Sequence, residues 1–396
     1  MQLSKLTRWT IIALPFFLSV GALAEPIRIA HVYGKTGPFE AYAKQSHDGL
    51  MLGILYATRG TFAIDGRAIE VIEKDTRMDP DIGRSLLEEA YAEDNVDLAI
   101  GPVSSSVALA MLSVAEDYKK ILLVEPAVAD AITGTSGNRY IFRTGRNSSQ
   151  DAVANAVAIG RPGVKIATFA QDNAFGRNGI AVFREALTRT GADIVHEEYL
   201  PTDSNDFTDA GQRIFDALRE SQGDRIVFFH WVGSGDPMGK IQAMNPQRFD
   251  IRFATGGNIL SAMVGYKPFV GIEGATYYYF ESPDNEINDW LVEQHLDRFG
   301  TPPDFLAAGG MAAGIAAVEA IRQAGSTDTE ALISVMEGMR FDTPKGEMMF
   351  RAEDHQALQS MYHYRVRVEE GIEWAIPELV REITLDEMTI PLGRAN

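Results

Sequence analysis

The chain has 396 residues, 45% hydrophobic and 23% charged. That is the balance of a folded globular protein, long enough for two domains with separate cores. The formal charge is −19. A surface of that sign repels phosphates and anionic lipid headgroups, which argues against a nucleic acid partner. There is no cysteine, so disulfides and thiolate metal or catalytic sites are excluded.

Residues 1–24 have the layout of a secretory leader. Lys5 and Arg8 give a positive start, and an apolar run from Ile11 to Val20 is broken only by Pro15 and Ser19. Ala22-Leu23-Ala24 is a small-x-small cleavage site. The run is too short to span a bilayer, which needs about 20 apolar residues. No cysteine follows for lipid attachment, and no later stretch reads as a membrane span. The expectation is export to the periplasm, cleavage after Ala24, and a mature chain whose charge moves from −19 to −21 with the loss of Lys5 and Arg8.

The mature chain opens on an apolar run, residues 27–32, and a loop at Gly34, Gly37 and Pro38. Leu50, Met51, Ile54 and Leu55 then follow helical spacing. Residues 68–74 alternate as a strand, Pro80 opens a helix, residues 97–100 form a strand, 104–118 a helix and 121–124 a buried strand. After the basic, polar stretch 143–150 the alternation restarts, with strands at 165–169, 194–199, 225–229, 251–254 and 274–280. Helices are expected at 286–299, 307–324 and 329–339, and strands at 348–351 and 361–368. Such alternation predicts an α/β protein of two doubly wound parallel-sheet lobes. Ligands then sit at the carboxyl ends of the strands.

Those strand ends carry the candidate site. The loop after Ile100 reads Gly101-Pro102-Val103-Ser104-Ser105-Ser106, and hydroxyls at a helix start favour an anion such as a carboxylate. A plain helix cap accounts for one of the three serines. The loop after Val124 reads Glu125-Pro126-Ala127-Val128-Ala129-Asp130, whose small residues leave backbone groups open, though such loops also arise from packing alone. Tyr42, Phe175, His230 and Trp231 add rings at the same level, and pockets are walled by apolar and aromatic groups. For Tyr278 and Tyr279 core packing is the natural reading. For Tyr42 and Trp231, in polar glycine-bearing loops, it is less so. The expectation is that Tyr42, Ser105, Phe175 and Trp231 face one gap.

Catalytic and cofactor motifs are missing: there is no HExxH, no G-x-S-x-G, no GxGxxG after a strand and no phosphate loop. No cofactor is expected. Glu353-Asp354-His355 reads as a solvated turn rather than a metal site. A periplasmic hydrolase would need a nucleophile, base and orienter together, and these do not assemble.

Five segments together resemble the type I periplasmic solute-binding proteins of ABC transporters, the leucine/isoleucine/valine-binding group. They are residues 27–43, 79–106, 121–133, 139–150 (RYIFRTGRNSSQ) and 166–179. The resemblance implies two lobes joined by three crossover segments, 25–143 plus 275–345 and 146–272 plus 350–396. It also implies hinge closure on a small-molecule ligand, a membrane permease as partner, and a monomer. It places the ligand shelf on Tyr42 and the carboxylate grip on Ser105, with Ser104 one residue away. Ala127 falls at the backbone contact, Ala129 where the group usually has a threonine, and Phe175 and Trp231 on the second-lobe rings. The acid that pairs with a ligand ammonium falls near Gly257, where Gly256-Gly257-Asn258 holds none. A plain α-amino acid is therefore in question, and Asp172, Asp130 or Asp236 are the acids that would replace it. A ligand with a carboxylate or amide and an apolar or aromatic body is expected. A sensory module feeding a receptor through the same cleft is the alternative.

Overall fold

Ile27, Ile29, Ala30 and Val32 are fully buried in a strand, Ile27–Tyr33, that is covered on both sides. A continuous apolar run of this kind marks the interior of a parallel sheet. The computed structural model describes residues 25–37, 39–231 and 235–393; the leader and the cleavage position lie outside them.

The first sheet has the order 63–64, 67–75, 27–33, 98–100, 122–124, 141–143, and is parallel except for the short hairpin strand at 63–64. The second has the order 376–383, 361–367, 273–276, 251–255, 224–230, 164–171, 193–200. Its last five strands are parallel, and 361–367 and 376–383 are added antiparallel. Counted within each parallel part, both sheets wind as 2-1-3-4-5, so the same doubly wound layer occurs twice. A small antiparallel sheet, 340–343, 346–350 and 357–359, lies in sequence between strands 273–276 and 361–367 of the second sheet.

Four details depart from the sequence reading. The strand expected over 274–280 ends at Thr276, because Tyr277, Tyr278 and Tyr279 turn inward as buried rings. The helix expected over 329–339 stops at Met336 and gives way to strand Arg340–Thr343. Tyr42 lies in the first turns of helix Glu40–Ala57, not in a loop. The turn at 353–355 is not solvated: Asp354 and His355 are buried. Asp354 pairs with Arg351 at 2.6 Å, and His355 stacks on Phe142 at 4.0 Å.

Helix Phe305–Ala324 is apolar and long enough to cross a membrane, but 89% of its most apolar window is buried inside the protein. It lies against helix Glu40–Ala57. A Cβ on Gly49 would sit 2.0 Å from the Ala307 carbonyl oxygen, and one on Gly310 would sit 2.1 Å from that of Ser46. Glycine at these positions lets the two backbones touch. Asp304 caps the helix, its Oδ1 accepting the Phe305 N–H at 2.8 Å.

Candidate functional site

The carboxyl-end loops of the first sheet are tied down by hydrogen bonds. Ser104 is the N-cap of helix Ser105–Tyr118. The Ser105 hydroxyl accepts the Ala129 N–H at 3.1 Å, which joins the two serine- and alanine-bearing loops. Ala127 is buried and donates its N–H to the Pro102 carbonyl at 3.2 Å. Beneath them lies Arg143, fully buried. Its Nη1 reaches the carbonyls of Ala127 at 3.4 Å and Ala129 at 2.7 Å, and its Nη2 the Thr133 hydroxyl at 2.8 Å.

The second sheet supplies rings. Asn173 caps helix Ala174–Leu187, which sets Phe175 against His230, stacked at 4.2 Å. Trp231 meets Phe169 and Phe207, each at 5.6 Å. Burial holds the His230 imidazolium down to a pKa of about 4, so this ring is neutral. After strand Ile251–Thr255 the chain passes through Gly256 and Gly257. The Gly257 N–H donates to the Ala275 carbonyl at 3.0 Å. A Cβ there would lie 2.5 Å from that of Thr276, so this backbone is pressed against its neighbour and has no room for a side chain.

These elements enclose a cavity of about 190 Å³. Val128 closes it from the first sheet; Phe175, Trp231 and Gly257 close it from the second. The remaining wall comes from segments that link the two layers. Arg146 and Asp151 lie at the start of helix Ser148–Ile159, and Tyr277 and Phe305 on the return path. Arg146 Nε donates to Asp151 Oδ1 at 3.2 Å. The guanidinium lies over Tyr277 at 4.5 Å and near Phe305 at 5.5 Å. Burial works against the Arg146 charge, yet Asp151 holds the group above its ordinary range. Burial raises the Asp151 carboxyl in spite of Arg146.

Of the eight residues singled out in the sequence, Phe175, Trp231 and Gly257 share this cavity. Ala127 and Ala129 are the chain neighbours of Val128 and are not in the wall, and Ser105 is bonded to Ala129. Tyr42, Ser104 and Ser105 do not form part of its wall. Tyr42 is half-buried against the apolar core beside Phe39, at 5.5 Å. The acids expected to replace one at Gly257 are engaged elsewhere. Asp172 pairs with Arg177, Asp130 accepts from Ser149, and Asp236 caps a short helix. Asp151 is the acid in the wall instead. It and Arg146 were missed because 141–143 was not read as a strand; the carboxyl-end rule applied to that strand leads straight to Arg146.

Two doubly wound layers closing a small cavity between their strand-end loops define a ligand-binding protein of the two-lobed, hinged class. The sequence profile of the periplasmic binding protein family matches residues 26–371, and the chain belongs to that family. It is a periplasmic binding protein of the ABC-transporter kind; such proteins bind small solutes and deliver them to a permease. It is similar to the leucine-, isoleucine-, valine-, threonine- and alanine-binding protein of Pseudomonas aeruginosa, 24% identical, with 88% of this chain and 91% of that one aligned. Among solved structures it resembles an ABC-type branched-chain amino acid transporter protein from Rhodopseudomonas palustris CGA009. That protein is 59% identical with TM-score 0.92, covering 93% of this chain and all of the other. A solute-binding protein from Rhodopseudomonas palustris BisB5, in complex with 3,4-dihydroxybenzoic acid, is 25% identical with TM-score 0.75, covering 92% and 99%.

Proposed function

We propose that the mature chain, freed of its leader after Ala24, captures a small carboxylate- or amide-bearing organic solute in the 190 Å³ cavity and presents it unchanged to a membrane permease. The observation that carries this reading is that loops from both sheets wall one small, ring-lined space with an ion pair at its side. The lobes are 25–143 with 275–345, and 146–272 with 350–396, and the protein acts as a monomer. Closure over the solute brings Val128 toward Phe175 and Trp231. The role of the chain is binding without turnover. Related proteins support both branches of the ligand class, since one carries a branched-chain amino acid description and another holds an aromatic acid.

The test is a native mass spectrum of protein taken from the periplasm without refolding, followed by thermal-shift screening. A retained small organic molecule, a raised Tm with it, and its recovery unchanged are expected. Ligand at 100-fold Kd adds about 2.7 kcal/mol of stability. No bound mass and no shift across amino acids, aromatic acids and their amides would sink the reading, as would conversion of any of them.

A further inference from the structure

The walls of the cavity are unequal in charge-reading capacity. On the second-sheet side the hydroxyls of Thr255 and Thr276 and the Asn155 side-chain carbonyl already have partners, and the ring of His230 is neutral, its Nε2 buried with no hydrogen-bond partner among the described residues. The Thr255 hydroxyl donates to the Phe229 carbonyl at 3.1 Å and the Thr276 hydroxyl to that of Tyr278 at 3.2 Å. Asn155 Oδ1 accepts the Ala275 N–H at 2.9 Å. The Gly257 position, closed by Thr276, admits no acid. A ligand cation therefore finds no carboxylate among the described residues on that side.

Arg146 is the opposite case. Of its five N–H donors only the one on Nε is used, on Asp151 Oδ1; Nη1 and Nη2 bond to no described residue. The side chain is 16% exposed and lies in the cavity wall, with its flat face held over Tyr277. Donors held in a cavity wall with no protein partner are open to a ligand, and a guanidinium fork matches a carboxylate in two parallel bonds. Asp151, the one acid among the described residues of the wall, is engaged through Nε, which fixes the fork's direction without occupying it.

We propose that Arg146 anchors the ligand: its Nη1 and Nη2 take the carboxylate of a flat, singly charged organic acid, and Asp151 is a positioning residue that holds the guanidinium through Nε. The proposal rests on reading the cavity as the solute site. The body of the acid lies among Phe175, Trp231 and Phe305, and it lacks the α-ammonium group of an amino acid.

Isothermal titration with benzoate, benzamide and leucine tests this. Benzamide keeps the ring and removes the charge. Wild-type protein is expected to bind benzoate at least 50-fold more tightly than benzamide, and more tightly than leucine. Arg146→Gln loses at least 50-fold for benzoate and less than 3-fold for benzamide. Arg146→Lys, which keeps the charge and loses the fork, falls between. Asp151→Asn weakens benzoate 5- to 20-fold and benzamide less than 3-fold, whereas a merely structural role would weaken both alike. The wild-type benzoate-to-benzamide ratio needs no variant to fold. Leucine binding more tightly than benzoate, or benzoate binding undiminished in Arg146→Gln, overturns the assignment and leaves solute capture standing. Failure of benzoate, 4-hydroxybenzoate and phenylacetate alike overturns it too, and the native mass spectrum then decides whether solute capture falls with it.

Discussion

Asp304 and Leu260 join the two layers directly: Asp304 Oδ2 accepts the Leu260 N–H at 2.8 Å. Asp304 heads the helix that packs against Glu40–Ala57 beside the first sheet, and Leu260 opens the short helix after strand Ile251–Thr255 of the second. The same oxygen also accepts from Gln45 Nε2 at 3.4 Å. This is a bond across the cleft that opening must break. A single such bond to a charged group contributes about 1.5–3 kcal/mol. Asp304→Ala is expected to shift the unliganded protein toward the open form, seen as a larger radius of gyration in solution scattering, and to weaken ligand binding about tenfold. An unchanged radius and affinity would show that the bond does not hold the closed form.

His31 and His47 face each other with their Nδ1 atoms 2.9 Å apart, and both stack with Tyr33. One Nδ1 must donate and the other accept, so the pair cannot be doubly protonated. Burial, with His47 close by, takes the His31 pKa down to about 3. The unfolded chain takes up this proton near pH 6.5 and the folded one does not, so stability falls as pH drops from about 6.5 toward 3. The slope is about 1.4 kcal/mol per pH unit per histidine. Glu73, held down to about 2 chiefly by Lys35 and Tyr33, adds loss in the same direction below about 4.5. Melting temperatures between pH 7.5 and 4.5 check this. His31→Leu should show a shallower acid slope than wild type, and an identical slope would assign the proton elsewhere.

How far the sequence was legible follows from which signals are local. Strands 27–33, 164–171, 224–230 and 251–255 are mostly buried apolar residues because both faces are covered, and their type is plain. Strand Ile376–Ile383 was not seen. It is the edge of its sheet, carries Pro377, and has five consecutive exposed residues, so no buried period shows. The aromatic run at 277–279 has strand propensity, but its rings are needed inside: the Tyr277 hydroxyl donates to the Phe305 carbonyl and the Tyr278 hydroxyl to Asn288. Phe175 and Trp231 were recoverable as rings at strand ends. Arg146 was recoverable only once the three-residue strand 141–143 was recognised, and its pairing with Asp151 gives no periodic signal, since a five-residue separation spanning the helix start follows neither the helical nor the strand period.

Lys345, on the turn between strands 340–343 and 346–350, is 1% exposed, and its Nζ has no hydrogen-bond partner among the described residues. It lies over the Tyr277 ring at 5.0 Å. Burial lowers its pKa to about 8, against the pull of Glu125. Below pH 8 the folded state carries this penalty in full. Between about 8 and 10.5 the folded form releases the proton while the unfolded form retains it, so stability rises with pH through that window. Lys345→Met should stabilise the protein by about 1–3 kcal/mol at pH 7, by analogy with replacing buried charges by apolar groups. The gain should shrink toward pH 10. Urea unfolding at pH 7 and 9.5 measures it, and destabilisation at pH 7 would mean that the attraction of Glu125 outweighs the burial penalty.

Arg143 tests a different property, the rigidity of the loop that carries Val128 into the cavity. Its guanidinium satisfies the carbonyls of Ala127 and Ala129, the Thr133 hydroxyl and Gln356 Oε1, all in the interior. Arg143→Lys keeps a charge but cannot reach these acceptors from one nitrogen. Each buried acceptor left unpaired costs about 1–3 kcal/mol, and Arg143→Lys is expected to lose about 2–4 kcal/mol in all. Burial lowers the Arg143 pKa only to about 10, so it stays charged at neutral pH. The loss should therefore be flat from pH 6 to 8, unlike that of His31. Because loop 127–129 also borders the cavity, ligand affinity should fall along with stability. A variant that melts earlier but binds as tightly as wild type would show that the loop keeps its shape without the guanidinium, its bond to Ser105 being enough.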